Sequence, residues 1–319
     1  MAKIALWMYS NENGHIISEK LRSMLTARGH TVVDGFDLRH AYSLNGAVHS
    51  ESGVNLSECD LLYHMNADEQ SAQQHDLLTA LGNAGVRVVN TAQAYHLARD
   101  KYFTNQVLRQ AGVPVPDSIL ATSRYLRAHA VDLFERWGRL LIKPRNFHGG
   151  RGIVMFSEPG QFVDALDLFR GEEGIYIERF IDFGENDYRA EVLYGEVIGG
   201  YSRTRQHAFK TNIAAGGRMT PSTMSSEISS LALRAAQAIG MDCTIVDMVR
   251  NQKSGQMTVL EVNPIMGIFV EHAMQAGDKS VVRDVHASYA YDDKKLELLA
   301  SMLHRLAARP LCGLTIKEG

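Results

Sequence analysis

Three cysteines among 319 residues, Cys59, Cys243 and Cys312, are too few and too scattered for a disulfide framework or a zinc site. They read as inert thiols in a reducing compartment. No segment approaches the ~18 uninterrupted apolar residues of a membrane span. The apolar run after Met1-Ala2-Lys3 breaks at Ser10-Asn11-Glu12, which is too short for a signal peptide and precedes no small-residue cleavage site. The first strand–helix turn, Ser10-Asn11-Glu12-Asn13-Gly14, lacks the GxGxxG fingerprint, which disfavours a nicotinamide-binding domain. Excess charge is missing too. With 33 Lys+Arg against 36 Asp+Glu, the net charge of −3 offers no global field to nucleic acid or an anionic membrane. A cytoplasmic enzyme with neither of those partners is expected.

What is present is ordinary globular material, 45% hydrophobic and 22% charged, in a chain long enough for two or three subdomains. Apolar runs over Lys3 to Tyr9, His30 to Phe36, Asp60 to His64 and Val86 to Asn90 predict strands. They alternate with amphipathic helices over Ile16 to Ala27 and Gln74 to Asn83, so a small parallel α/β unit occupies about the first 90 residues. A helix is expected from Thr91 through Lys101 to Gln110, stopped by Ala111-Gly112-Val113-Pro114. Leu140 to Pro144 enters the glycine-rich stretch Phe147-His148-Gly149-Gly150-Arg151-Gly152, and Ile153 to Phe156 leaves it, giving strand–loop–strand. From Tyr188 the pattern turns antiparallel, with a hairpin expected around Gly195-Glu196. Ser225 to Ile239 and Leu296 to Ala308 predict two further helices.

The stretch Thr244 to Met266 carries the most chemistry. Two strands, Thr244 to Arg250 and Met257 to Val262, flank a polar loop. A hairpin centred near Ser254 sets Asp247 opposite Glu261, at a Cβ separation of ~4.5–5.5 Å. Asn263 falls on the same side as Glu261. Paired carboxylates need a cation or a proton between them, and oxygen donors without His or Cys favour magnesium or manganese. An acid pair across a hairpin is ordinarily a solvated face; here the flanks Ile245-Val246 and Val259-Leu260 are apolar. Lys143 ends its strand just before the glycine loop, whose amides could approach a phosphate, although GxxxxGK[ST] is absent and such a turn can be merely flexible. Lys101, alone on its helix, would ordinarily be solvated surface. Arg203, Arg205 and Lys210 suit an anionic ligand or a surface loop about equally.

The order of these elements resembles the ATP-grasp superfamily, in particular the ribosomal-protein glutamate ligases of the RimK type. The resemblance runs through Asp100-Lys101-x-x-Thr104, Ile142-Lys143-Pro144 with Gly150-x-Gly152, and Glu178-Arg179-Phe180-Ile181. It continues through Asp187-x-Arg189, Arg203, Lys210-Thr211-Asn212-x-x-x-Gly216-Gly217, and Asp247 with Glu261-Val262-Asn263. It implies a mixed α/β and α+β ATP-grasp fold: a Rossmann-like unit over residues 1–95, a lid over 96–182 and a base over 183–319. It implies an ATP-dependent ligase that joins a carboxylate to an amine, an amino acid or peptide among them, through an acyl phosphate. Lys101, Lys143, Gly150 and Gly152 would meet the α- and β-phosphates, Glu178 and the backbone of Arg179, Phe180 and Ile181 the adenine, and Asp187 the ribose. Lys210, Thr211 and Asn212 would sit at the γ-phosphate, Arg203 would stabilise the charged intermediate, and Asp247, Glu261 and Asn263 would hold two magnesium or manganese ions. A homo-oligomer, dimer or tetramer, is expected. A phosphotransferase and a nucleotide-binding regulatory subunit are the alternatives. Two segments depart from the pattern: Arg145-Asn146-Phe147-His148, where relatives often begin with an acid and Gly, and Pro264-Ile265-Met266 after Asn263.

Overall fold

The computed structural model describes residues 1–65, 72–169, 174–212, 216–268 and 289–308; Cys312 lies outside them. The chain forms two compact units, one from Met1–His96, Gly240–Cys243 and the described residues from Pro264 on, the other from Leu97–Ile239 and Thr244–Asn263.

In the first unit β1 (Lys3–Trp7) is buried along four of its five residues. Asn11 then caps α1 (Glu12–Ala27), its side chain accepting the amide of Gly14 at 2.8 Å. Ile17, Leu21 and Leu25, four apart, make the buried stripe of α1. β2 (Thr31–Val33) follows, then a hairpin absent from the expectations, β3 (Tyr42–Leu44) and β4 (Ala47–His49). Its turn residues Asn45 and Gly46 both take positive φ, 52° and 83°, the conformation an Asn-Gly hairpin turn requires. β5 (Leu61–His64), α2 (Ala72–Asn83) and β6 (Arg87–Val89) complete a parallel sheet of order β2-β1-β5-β6. Trp7, Leu38, Leu62, Leu77 and Leu81 pack in its core, each such burial contributing about 1.5–3 kcal/mol. A last helix, Tyr289–Ala307, packs on α1 and begins seven residues before the expected Leu296.

The single helix expected over Thr91 to Gln110 is two, α3 (Ala92–Arg99) and α4 (Lys101–Gln110). Asp100 between them is extended and accepts the amides of Tyr102 at 3.0 Å and Phe103 at 3.3 Å. The competing principle is capping: a side-chain carboxylate outbids the helix for those donors.

The second unit holds two antiparallel sheets. β7 (Ser118–Ala121), β8 (Leu140–Ile142), β9 (Val154–Phe156) and β10 (Ile175–Arg179) are ordered β7-β10-β8-β9. α5 (Ser123–Ala128), α6 (Ala130–Trp137) and α7 (Pro159–Ala165) accompany them, with Leu126, Phe134, Ile142, Phe162 and Ile177 in the shared core. β11 (Asn186–Leu193), β12 (Glu196–Thr204), β13 (Arg218–Pro221), β14 (Cys243–Arg250) and β15 (Met257–Val262) are ordered β13-β12-β11-β14-β15. The β11–β12 turn is Tyr194-Gly195, one residue earlier than expected, because those two carry positive φ while Glu196 already pairs with Leu193. α8 (Ser226–Ile239) sets Ile228, Leu231, Ala232, Ala235 and Ile239 against this sheet. Among the described residues no helix is long and apolar enough to cross a membrane.

Candidate active site

The second unit carries a cleft of about 800 Å³, open to solvent. Of the residues singled out in the sequence, Lys101, Lys143, Gly150, Glu178, Arg179, Phe180, Ile181, Asp187, Arg203, Lys210, Thr211, Asn212, Asp247 and Glu261 all line it. Gly152 and Asn263 are outside its lining.

One residue past β8, Lys143 is buried and forms an ion pair with Glu178 of β10. The hydroxyl of Tyr176, two residues earlier on the same strand face, donates to the other Glu178 oxygen at 2.8 Å. Burial, then the neighbouring carboxylate, holds that phenol protonated far above its usual range.

The glycine loop rests on two lysines. Lys210 donates to the carbonyl of Gly150 at 3.0 Å, and Lys101 to that of Phe147. Gly150 has φ +73°, a conformation that strains any other residue, and a Cβ there would lie 2.3 Å from the Asn212 amide oxygen, which would have to move. The divergent Arg145 has a definite role. Its guanidinium grips Asp100 through Nε at 3.1 Å and Nη2 at 2.5 Å, and its carbonyl accepts the Lys101 amide at 3.1 Å. The stem of the loop is thereby fastened to the start of α4, the turn that presents Lys101. His148 is exposed and accepts from Arg151 at 2.8 Å. Of the other divergent segment, Met266 is fully buried and Ile265 packs on the first unit's core.

The charged face of the larger sheet follows from strand register. Asp187 on β11 faces Arg203 on β12, and Asp247 on β14 faces Glu261 on β15. Arg203 grips Asp187 with two nitrogens and reaches Asp247 at 2.9 Å; Thr211 donates to Asp187 at 2.6 Å. Asp247 also accepts Arg189 Nε at 2.7 Å and the Asn263 amide at 2.9 Å. Glu261 meets Lys101 at 3.2 Å. Burial pushes the Asp247 carboxyl up, with Arg189 and Arg203 pulling against it. At Glu261 burial acts upward as well, but Lys101 and Arg189 hold the carboxyl below its usual range.

Among the described residues no three His, Cys, Asp or Glu side chains converge as a metal cage. Two opposed carboxylates, Asp247 and Glu261, nonetheless line the cleft and present only oxygen donors, which fits a hard divalent cation that keeps water or substrate oxygens as its remaining ligands, while Asn263 turns its amide nitrogen to Asp247. Arg189 and Tyr201, half-buried and facing each other across β11 and β12, have no role in the expectations above. Two-residue spacing from Asp187 was the signal that could have placed Arg189 on this face.

Comparison with known proteins gives a consistent picture. A family model described as a RimK-like ATP-grasp domain matches residues 98–277. The chain is 30% identical over 187 residues to a probable alpha-L-glutamate ligase of Haemophilus influenzae, covering 58% of this chain and 61% of that protein. It is 29% identical over 218 residues to the tetrahydromethanopterin:alpha-L-glutamate ligase of Methanosarcina acetivorans, covering 63% and 66%. The chain thus spans less than two thirds of the length of either relative. In three dimensions it resembles the ATP-grasp ligase PsnB complexed with a minimal precursor, Mg and ADP, with a TM-score of 0.61 at 18% identity over 94% of this chain and 98% of that one. The fold is the ATP-grasp fold.

Proposed function

This chain belongs to the RimK-like ATP-grasp family, and from that premise we propose that it is an ATP- and magnesium-dependent ligase joining a carboxylate to an amine. The observation that carries the reading is the convergence of Lys101, Lys143, the Gly150 loop, Asp187, Arg203, Asp247 and Glu261 on one cleft. Glutamate is named for both sequence relatives, so an amino acid or peptide is the substrate class. In the same reading the protein acts in the cytoplasm as a homo-oligomer. Residues 96–182 serve as lid, 183–319 as base and 1–95 as the N-terminal domain, except that Gly240–Cys243 and the described residues from Pro264 on pack with the N-terminal residues in the first unit.

A carboxylate is a poor electrophile. One of its oxygens attacks the γ-phosphorus, the bond to the β,γ-bridging oxygen breaks, and ADP leaves. The amine nitrogen then adds to the carbonyl carbon, loses a proton, and expels phosphate together with the oxygen first contributed by the acid. Both steps need positioning and charge neutralisation more than covalent help from the protein.

Lys101 and Lys143 hold the α- and β-phosphates beneath the Gly150–Gly152 loop, and Lys210, Thr211 and Asn212 hold the γ-phosphate. Glu178 and the backbone of Arg179 to Ile181 receive the adenine, and Asp187 the ribose. Asp247, Glu261 and Asn263 hold two magnesium ions, which supply charge neutralisation and Lewis acidity at the terminal phosphates. Arg203 stabilises the negative charge of the tetrahedral intermediate. Each cleft cation already has a protein acceptor: Glu178 for Lys143, Glu261 for Lys101, the Gly150 carbonyl for Lys210. Nucleotide binding is therefore an exchange of partners for these three lysines.

ADP release should require acid and amine together. With hydroxylamine as the amine, a hydroxamate should accumulate; steady ADP release with no hydroxamate would overturn the acyl-phosphate route.

A further inference from the structure

Strand β10 lies between β7 and β8, and Glu178 on it faces Ser118 on one side and Leu141 on the other. Its carboxylate belongs to the lining of the cleft although the side chain is only 2% exposed. The two oxygens are not equivalent. Oε2 pairs with Lys143, which also lines the cleft. Oε1 accepts the hydroxyl of Tyr176 at 2.8 Å. Tyr176 stands two residues earlier on the same face of β10, is buried, and is not part of the cleft lining. Its ring packs edge-on against Tyr102, with the ring centres 6.0 Å apart, and its backbone carbonyl accepts the Lys143 amide at 3.1 Å. One residue thus touches both members of the buried pair without entering the cleft.

A carboxylate free to turn about its last bond presents either oxygen, or both, to a neighbouring lysine. The Tyr176 hydroxyl removes that freedom. Burial and the adjacent carboxylate keep the phenol protonated, so it donates to Oε1. Oε2 is then the one oxygen shared between Lys143 and a group bound beside it in the cleft. A carboxylate oxygen takes two hydrogen bonds and donates none. Such an atom accepts from an amino group and repels a carbonyl oxygen. We propose that Tyr176 is a positioning residue for the nucleotide base: by holding Oε1 it fixes Oε2 as a single oriented acceptor, and so gives the site its preference for a purine with an amino group at C6. This assignment rests on the adenine reading of Glu178 given above.

The competing role is purely structural, with the phenol only satisfying a buried oxygen and steadying Lys143. That role would weaken every nucleotide alike, because the phosphates are the same whatever the base. The test therefore compares ADP with purine riboside 5′-diphosphate, which has only hydrogen at C6 and keeps the same sugar, phosphates and N1 acceptor. Calorimetric titration of the full chain with magnesium gives Kd for each nucleotide in wild type and in Tyr176→Phe, and circular dichroism checks that the variant folds. If it does not fold, Tyr176→Met, whose flexible side chain fills irregular space, carries the test. Wild type should bind ADP about 10- to 100-fold more tightly than the purine riboside, as expected of a hydrogen bond to a charged group. The variant should bind ADP about 10-fold more weakly and the purine riboside nearly as before, so the preference falls about 10-fold. A preference that stays within about threefold of wild type, whether both affinities fall together or neither changes, would overturn the assignment and leave the adenine reading standing. A wild-type protein that binds both nucleotides equally, or neither, would instead sink the adenine reading of Glu178, and the assignment with it.

Discussion

Replacing Lys143 with Met would isolate the value of the buried pair beneath the proposed phosphate site. The Lys143 and Glu178 side chains are 8% and 2% exposed, so although both line the cleft a charge that loses its partner is poorly hydrated. Lys143→Met leaves the Glu178 carboxylate with only the Tyr176 hydroxyl. Stranding a buried charge in this way costs about 3–5 kcal/mol. At a urea dependence of about 2 kcal/mol/M, the unfolding midpoint should fall by roughly 2 M. Lys143→Met combined with Glu178→Gln removes the stranded charge and keeps an acceptor for Tyr176, so most of the loss should return, to within about 1–2 kcal/mol of wild type. Urea titration followed by circular dichroism measures all three proteins. A single variant within 1 kcal/mol of wild type, or a double variant no better than the single, would refute the reasoning that this pair is buried and charged.

Two other outcomes follow from the site and the core. Glu261→Ala should abolish magnesium-dependent ADP release while leaving the melting temperature nearly unchanged, since this carboxylate is a quarter exposed and Lys101 keeps the Phe147 carbonyl as acceptor; a substantially active variant would end the metal assignment. His64, buried beside Trp7 and Tyr95 with its Nε2–H given to the Asn90 carbonyl at 3.0 Å, is pushed by burial from 6.5 down to about 4. Its folded form binds fewer protons than the unfolded chain between those values, so stability present above pH 6.5 is lost as pH falls toward 4. The loss is about 3 kcal/mol, and His64→Gln should flatten that part of the profile; an unchanged profile would place the acid sensitivity elsewhere.

Much of the site was legible because its signals are local. Lys143 before a glycine loop, and Asp247 with Glu261 across a short hairpin, need only strand periodicity and a turn. The Asp247–Glu261 pairing depends on something the sequence does not display. Near the turn the register pairs Arg250 with Met257 and Met248 with Val259, which continued would bring Leu260 opposite Asp247. A shift between Asp247 and Met248 leaves Leu260 as the extra residue and restores Glu261 to the facing position. Bulges follow from packing between strands and carry no marker of their own, so the simple hairpin centred on Ser254 reached the right pair without its cause. The β3–β4 hairpin was legible at Asn45-Gly46 and overlooked amid short polar strands. The break at Asp100 was legible as well, as an N-cap inside an apparently continuous helix. Arg145 gripping Asp100 was out of reach, because it joins residues 45 apart through tertiary structure alone.

The central claim is that a carboxylate oxygen of the acid displaces ADP and leaves with phosphate. Turnover with an acid labelled with ¹⁸O in the reacting carboxylate, followed by mass analysis of the phosphate, tests it directly. The account predicts one labelled oxygen in the phosphate for each amide bond formed. Unlabelled phosphate released in step with the amide would contradict it.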